Sequence, residues 1–254
     1  MSKAAVEYGV AEQITEIRLN CPPVNALSLA MLEELVAAVK RASADETVRA
    51  VLLTSGVRDR FSAGLDLHGL IGKSCEQVRA LLDKLYVELS ETQYALGKPS
   101  IAVVNGAARG GGMTLAISCD VIVAGESATF GYPEIDLGLV PAIHFVHLPA
   151  IAGRHRAFEL LFSGRSFAAA EAASLGLASR VVPDEKAEDE ARALARTFAA
   201  KAPSTMRVAR AAFMRANEHR SAIAHAVELF CNVTATPQAQ EGLRGFVEKR
   251  APRW

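Results

Sequence analysis

The chain has 254 residues, half of them hydrophobic, enough to bury a sizeable core as one large domain or as one domain with a helical appendage. Lysine and arginine total 28 against 28 acidic residues, so no overall field draws it to nucleic acid or to an anionic membrane. The four cysteines, Cys21, Cys75, Cys119 and Cys231, form no CxxC pair, and neither a signal peptide nor a bilayer-length apolar run is evident. A cytoplasmic protein of a reducing compartment is expected.

In chain order, "ITEIRLN" alternates apolar and polar residues from Ile14 to Asn20 and predicts a strand. Ser28 then caps a predicted helix with Leu29, Leu32, Leu35, Val36 and Val39 on one face. "VRAVLLTS" reads as a buried strand. Val78, Leu81, Leu82, Leu85 and Leu89 fall at helical spacing, and "SIAVVNG" is a strand closed by an Asn-Gly turn. Strand and helix alternate, which predicts an α/β fold with a largely parallel sheet. Past Pro183 the segments are alanine-rich, charged and helical, with no convincing strand.

"NGAARGGGMTLAISCD", Asn105 to Asp120, sets three glycines between a strand-like and a helix-like run. Such a turn offers backbone N–H groups to an anion, because the first amides of a helix lack internal partners and carry partial positive charge. A phosphate site is one reading, but the lysine and hydroxyl of GxxxxGK[ST] are missing and GxGxxG does not occur in it. Tight helix–sheet packing is a second reading, and an oxyanion hole with one amide from this loop and another from elsewhere is a third. "DRFSAGLDLHGL", Asp59 to Leu70, is a matching strand-end loop. If the two strands are neighbours, Ser62–Asp66 and Gly110–Gly112 converge on one oxygen.

Six pieces in order, "PPVNALS", "FSAGLDL", "VNGAARGGGMTLAISCDVIVA", "ATFGYPEIDLGLVP", "SGRSFAAAEAASLGLASRVVP" and "EGLRGFVEKRAPRW", resemble the crotonase superfamily, the enoyl-CoA hydratase/isomerase family, from about Ile14 to the C-terminus. The resemblance implies a crotonase-like spiral of ββα units over residues 1–195 and a helical C-terminal trimerisation region over 196–254. It also implies a homotrimer or a hexamer made of two trimers, and an acyl-CoA substrate with no bound cofactor, nucleic-acid partner or membrane. The two oxyanion donors are then the backbone N–H groups of Leu65 and Gly111, holding a thioester oxygen as it gains enolate charge. Val24, Ala26 and Leu27 correspond to the loop along the CoA. Ala63, Asp66, Leu67, Gly110 and Thr114 complete the substrate-contacting set, with Lys249 at the basic end of the last helix; a solvated helix end explains Lys249 almost as well.

The family's hydratases use two glutamates, whose positions here are Thr114 and Glu134. Thr114 is no carboxylate base, although its hydroxyl can orient a water. Glu134, among Tyr132, Pro133, Ile135 and Leu137, is the expected proton shuttle, its pKa raised if it faces a dry pocket. A single glutamate resembles the family's 3-enoyl-CoA to 2-enoyl-CoA isomerases. Hydration with an altered second acid, thioester hydrolysis, decarboxylation and noncatalytic acyl-CoA binding are the alternatives.

Three further residues are candidate helpers. His144 follows "GLVP" where the family often continues Gly-Ala-Gly-Gly, and is weighed as a partner of Glu134 against a capping or packing role. Asp136 shares a face with Glu134 if both lie on a strand, although an exposed carboxylate is the safer reading, and His68, just after the first donor loop, is weighed against a capping or packing role in the same way as His144. Arg109 is expected in an ion pair with an acidic residue. His147, His155, His219 and His225 show no metal-ligand spacing, so no metal is expected.

Overall fold

A computed structural model describes residues 4–217 and 219–254. Strands β1 (Val6–Ala11) and β2 (Ile14–Leu19) form a hairpin. Its two-residue turn, Glu12–Gln13, has both φ angles positive (51° and 65°), which matches the twist of the flanking strands. A short β3 (Ala26–Leu27) precedes α1 (Leu29–Ala44), and the Ser28 hydroxyl accepts the Met31 N–H at 3.2 Å, as the capping pattern predicts.

Three strand pairs then build the spiral. The pairs are β4 (Ala50–Ser55) with β5 (Arg60–Ser62), β7 (Ser100–Val104) with β8 (Ala107–Arg109), and β9 (Val121–Gly125) with β10 (Thr129–Gly131). The first strand of each pair enters one sheet and the second strand enters another. The larger sheet has the order β1-β2-β4-β7-β9-β12, with β12 at Arg180–Val182, and is parallel except for the β1–β2 hairpin; the smaller has the order β11-β10-β8-β5, with β11 at Ser166–Ala168. Strand β6 (Gly64–Leu65) pairs with β3 apart from both.

The helical spacing from Val78 to Leu89 holds, with one difference. Helices α2 (Cys75–Leu82) and α3 (Leu89–Ala95) are joined by a widened turn over Asp83–Glu88, where Leu89 N–H donates to Lys84 C=O, five residues back. The extra residue rotates the next helical turn about the axis and buries both Leu85 and Tyr86. Next come α4 (Gly111–Ser118), α5 (His144–Ala152), α6 (Arg154–Ser163) and α7 (Ala169–Ser174). Helices α8 (Ala187–Ala199), α9 (Pro203–Ala216), α10 (Arg220–Thr234) and α11 (Pro237–Val247) come after β12.

The main core joins the sheets to α1–α7, α10 and α11, and a second core forms beneath α8. There Ala187, Ala191 and Ala195, one helical turn apart, lie on Ile14, Leu52, Ile101, Val103 and Val123. Small side chains let the helix approach the sheet closely. The expected division after residue 195 falls inside this helix. Helix α9 is tied down by buried Arg210, which donates to Asp120 Oδ2 (2.9 Å), Gln93 O (2.8 Å) and Tyr94 O (3.2 Å).

Candidate active site

The two strand-end loops meet. Strands β5 and β8 are parallel neighbours with Ser62 opposite Ala108, so both loops leave the smaller sheet at the same end. Gly64 has φ +88°, and a Cβ there would stand 2.7 Å from Arg109 O and 2.9 Å from Gly111 N. A Cβ on Gly112 would meet Ser62 O at 2.5 Å, and one on Gly111 would meet Leu65 N at 3.3 Å. No side chain fits between these backbones, which places the amides of Leu65 and Gly111 side by side.

The first loop is latched by Asn25, buried at φ +51°. Its Nδ2 donates to Phe61 O (2.9 Å) and Ser55 Oγ (2.8 Å), and its Oδ1 accepts from Cys21 N (2.7 Å). Ala63 N donates to Val24 O (2.9 Å) and Asp66 N to Leu27 O (3.1 Å), which sets Val24, Ala26 and Leu27 alongside the loop.

Glu134 sits in a 3-10 turn, Pro133–Leu137, begun by proline and ended by Gly138 in the left-handed region. Its carboxylate reaches back over the triple glycine. A Cβ on Gly110 would lie 2.7 Å from Glu134 Oε1, so the first glycine clears room for this side chain. Together with Ala63, Gly64, Leu65, Leu67, Gly110 and Gly111, Glu134 lines a chamber of about 50 Å³ closed by Tyr86, Leu137, Leu139 and Phe230. The residue keeps some surface, but Oε2 is buried without a hydrogen-bond partner among the described residues. Burial pushes the carboxyl up to about 7, opposed only by its own backbone N–H. The phenols of Tyr86 and Tyr132 are pushed up too, by burial and then by the Glu134 charge.

Thr114 takes a different position. It lines a second cavity of about 220 Å³ with Ser90, Glu91, Tyr94, Ser118, His147 and Asn217, and Tyr86 is common to the walls of both cavities. Its Oγ1 lies 3.4 Å from His144 Nε2. His144 is buried at the start of α5, with its ring centroid 4.5 Å from that of Tyr132 and Nε2 3.2 Å from Gly110 O. Burial, helped by His147, pushes it down to about 3 and keeps it neutral. It therefore engages Gly110 and Thr114 rather than partnering Glu134.

Other expected helpers lie elsewhere. Asp136 shares the 3-10 turn, not a strand, and its carboxylate turns toward Gly164, where a Cβ would come within 2.6 Å of Oδ2. His68 is exposed on a turn capped by Asp66, whose Oδ1 accepts the His68 N–H at 3.2 Å. Lys249 is exposed beyond the end of α11. Among the described residues Arg109 meets no carboxylate: its guanidinium donates to Ala108 O, Thr129 O and Thr129 Oγ1, joining β8 to β10. Tyr86 and Phe230 were not among the expected site residues. Tyr86 lies four residues after Leu82 and three before Leu89, on the apolar face of the predicted helix, and that spacing signals burial but not a place in the site wall.

This geometry accompanies a family match. The model of the enoyl-CoA hydratase/isomerase family matches residues 9–254. The chain belongs to that family. It is 38% identical over 237 residues to a putative enoyl-CoA hydratase of Thermus thermophilus, covering 91% of this chain and 92% of the relative. It is 34% identical over 245 residues to the 2,3-dehydroadipyl-CoA hydratase of Escherichia coli, covering 95% and 94%. The solved structure of an enoyl-CoA hydratase/isomerase from Xanthobacter autotrophicus superposes with a TM-score of 0.87 at 29% identity, covering 98% of each chain. The crotonase fold, with its helical C-terminal region, and an enzyme of the hydratase/isomerase family are thereby assigned.

Proposed function

We propose that this enzyme moves a double bond in an acyl-CoA, from 3-enoyl to 2-enoyl thioester, with Glu134 as its single proton shuttle. The observation that carries the reading is one carboxylate, raised to about 7 and lacking a partner on Oε2, in a chamber lined by Leu65 and Gly111. The thioester oxygen accepts hydrogen bonds from the Leu65 and Gly111 amides. Glu134 takes a proton from C2, the negative charge moves onto that oxygen as a dienolate, and the carboxylic acid returns the proton to C4. Charge grows only in the transition state, so each aimed amide is worth about 10²- to 10³-fold in rate. A carboxyl balanced near neutrality both accepts and releases the proton, worth about 10²- to 10⁴-fold.

The reaction so written needs no resident cofactor. Val24, Ala26, Leu27, Ala63 and Asp66 are assigned to the CoA side of the site, next to the first donor. Assembly as a homotrimer or as paired trimers belongs to the same reading. Its support is the exposed apolar surface of the later helices, including Phe158, Phe162, Phe213 and Phe246.

Hydration is the second reading, and the names of the bacterial relatives favour it. It requires a group that places a water against C3. Thr114 is the residue at the second acid's position, and it lines the larger cavity rather than the Glu134 chamber.

The test is to incubate the purified protein separately with a 3-enoyl-CoA and a 2-enoyl-CoA and to identify products by mass and chromatography. Conversion of the first into the second at equal mass, abolished by Glu134→Gln with CoA binding retained, is the expected result. Gain of one water on the 2-enoyl substrate replaces the reading with hydration. No change in either moves it to another thioester reaction or to binding alone.

A further inference from the structure

We propose that His144 is a positioning residue that fixes the Gly110–Gly111 peptide group by donating to its carbonyl, and so aims the Gly111 N–H at the thioester oxygen. The proposal rests on the oxyanion reading of Gly111.

Gly110 C=O and Gly111 N–H are the two ends of one planar unit, so whatever holds the oxygen sets the direction of the N–H. Local backbone preference does not hold it. Gly110 has φ +47° and ψ −114°, a conformation foreign to L-residues, and glycine rotates more freely than any other residue. The peptide on the other side is pinned, since Gly110 N donates to Gly131 O at 3.1 Å. The catalytic peptide accepts from Met113 N (2.9 Å) and Thr114 N (3.2 Å), both in the turn that it opens. The third contact, His144 Nε2 at 3.2 Å, comes from a different element, α5, and ties the peptide to the rest of the fold.

The ring is built to donate there. A carbonyl only accepts, so Nε2 carries the proton. Nδ1 is buried without a partner among the described residues, which is tolerable for a lone pair and unfavourable for a second N–H. Packing against Tyr132 and full burial remove the freedom to swing away. A donor on the carbonyl also polarises the N–H at the opposite end of the same amide. Thr114 Oγ1, at 3.4 Å, shares the Nε2 proton weakly. A threonine fits beside the imidazole where a carboxylate would compete with Gly110 O for that proton.

The experiment compares His144→Gln, which keeps an N–H near the place of Nε2, with His144→Met, of similar length and no donor. Each full-length protein is mixed with a 2-enoyl-CoA labelled with ¹³C at the thioester carbonyl, and the carbonyl stretch is read by isotope-edited infrared difference spectroscopy beside kcat and KM. In the wild type the stretch is expected to fall on binding. In His144→Met it returns toward the free value and kcat drops about tenfold or more with KM little changed, while the glutamine variant recovers most of both.

A stretch in folded His144→Met equal to the wild type overturns the proposal and leaves His144 a packing residue. Equal loss in both variants does the same, because the donated N–H is then not the cause. If the methionine variant does not fold, His144→Asn takes its place: its N–H reaches only the Nδ1 position, and a wild-type stretch there again overturns the proposal. Absence of any shift in the wild type instead removes the oxyanion reading itself.

Discussion

Two carboxylates in this molecule meet opposite surroundings. Asp120 Oδ2 receives the Ser100 N–H (2.8 Å), the Ser100 hydroxyl (3.0 Å) and the Arg210 guanidinium (2.9 Å). Glu134 receives none of this on Oε2, and its pKa rises to about 7. A carboxylate whose lone pairs are filled by its neighbours is a clamp, joining α9 to the head of β7. One left unfilled gains by taking a proton, which is the property the proposed shuttle requires. The difference comes from the neighbours of each group, since the side chains differ by one methylene.

The sharpest way to break the comparison is to remove each acid's function in turn. Glu134→Gln is expected to lower turnover about 10²- to 10⁴-fold while a bound CoA thioester is retained, as measured by steady-state rates and calorimetric titration. Arg210→Ala is expected to lower stability by about 1.5–3 kcal/mol in denaturant unfolding, because the buried guanidinium's bonds to Asp120, Gln93 O and Tyr94 O are lost together. Turnover per folded molecule should change far less than stability.

The pH dependence reports on Glu134. The folded value of Glu134 lies above the ordinary 4.5, so between about 4.5 and 7 the folded protein holds a proton that the unfolded chain has released. Its contribution to stability is fully present below 4.5 and falls as pH rises, by roughly 3 kcal/mol in total by pH 7. Glu134→Gln removes that fall, so the variant is expected to gain on the wild type across this window in thermal melts. For catalysis the sign is reversed: the base form starts the reaction, so kcat/KM rises with pH through a midpoint near 7. A midpoint near 4.5 would show that Glu134 is solvated in the working enzyme. The smallest expected effect is Ser100→Ala, which removes one hydroxyl donor from Asp120 and is expected to cost about 1–2 kcal/mol in the same unfolding assay.

Much of the site was legible because its parts are local. Gly110, Gly111 and Gly112 announce that something approaches the backbone, and the structure shows what does: the Glu134 carboxylate, the Leu65 amide and the Ser62 carbonyl. Glu134 was legible through its place in "GYPEI". Asp136 is the exposed carboxylate that was the safer reading, because a two-residue spacing shares a face only on a strand and Pro133 starts a tight turn instead. Arg109 invited an ion pair, yet the carbonyl and hydroxyl of Thr129 satisfy it.

By itself the sequence determined the alternation of strands and helices, the caps, the family and the residues on the two glycine loops. These depend on periodicity and on short stretches whose chemistry is complete within a few positions. Only the tertiary structure decided that the Leu65 and Gly111 amides stand together, that Tyr86 borders both the Glu134 chamber and the Thr114 cavity, and that His144 reaches Gly110 rather than Glu134. The physical reason is that contacts between residues tens of positions apart depend on sheet order, helix register and one widened turn, none of which leaves a local pattern to read.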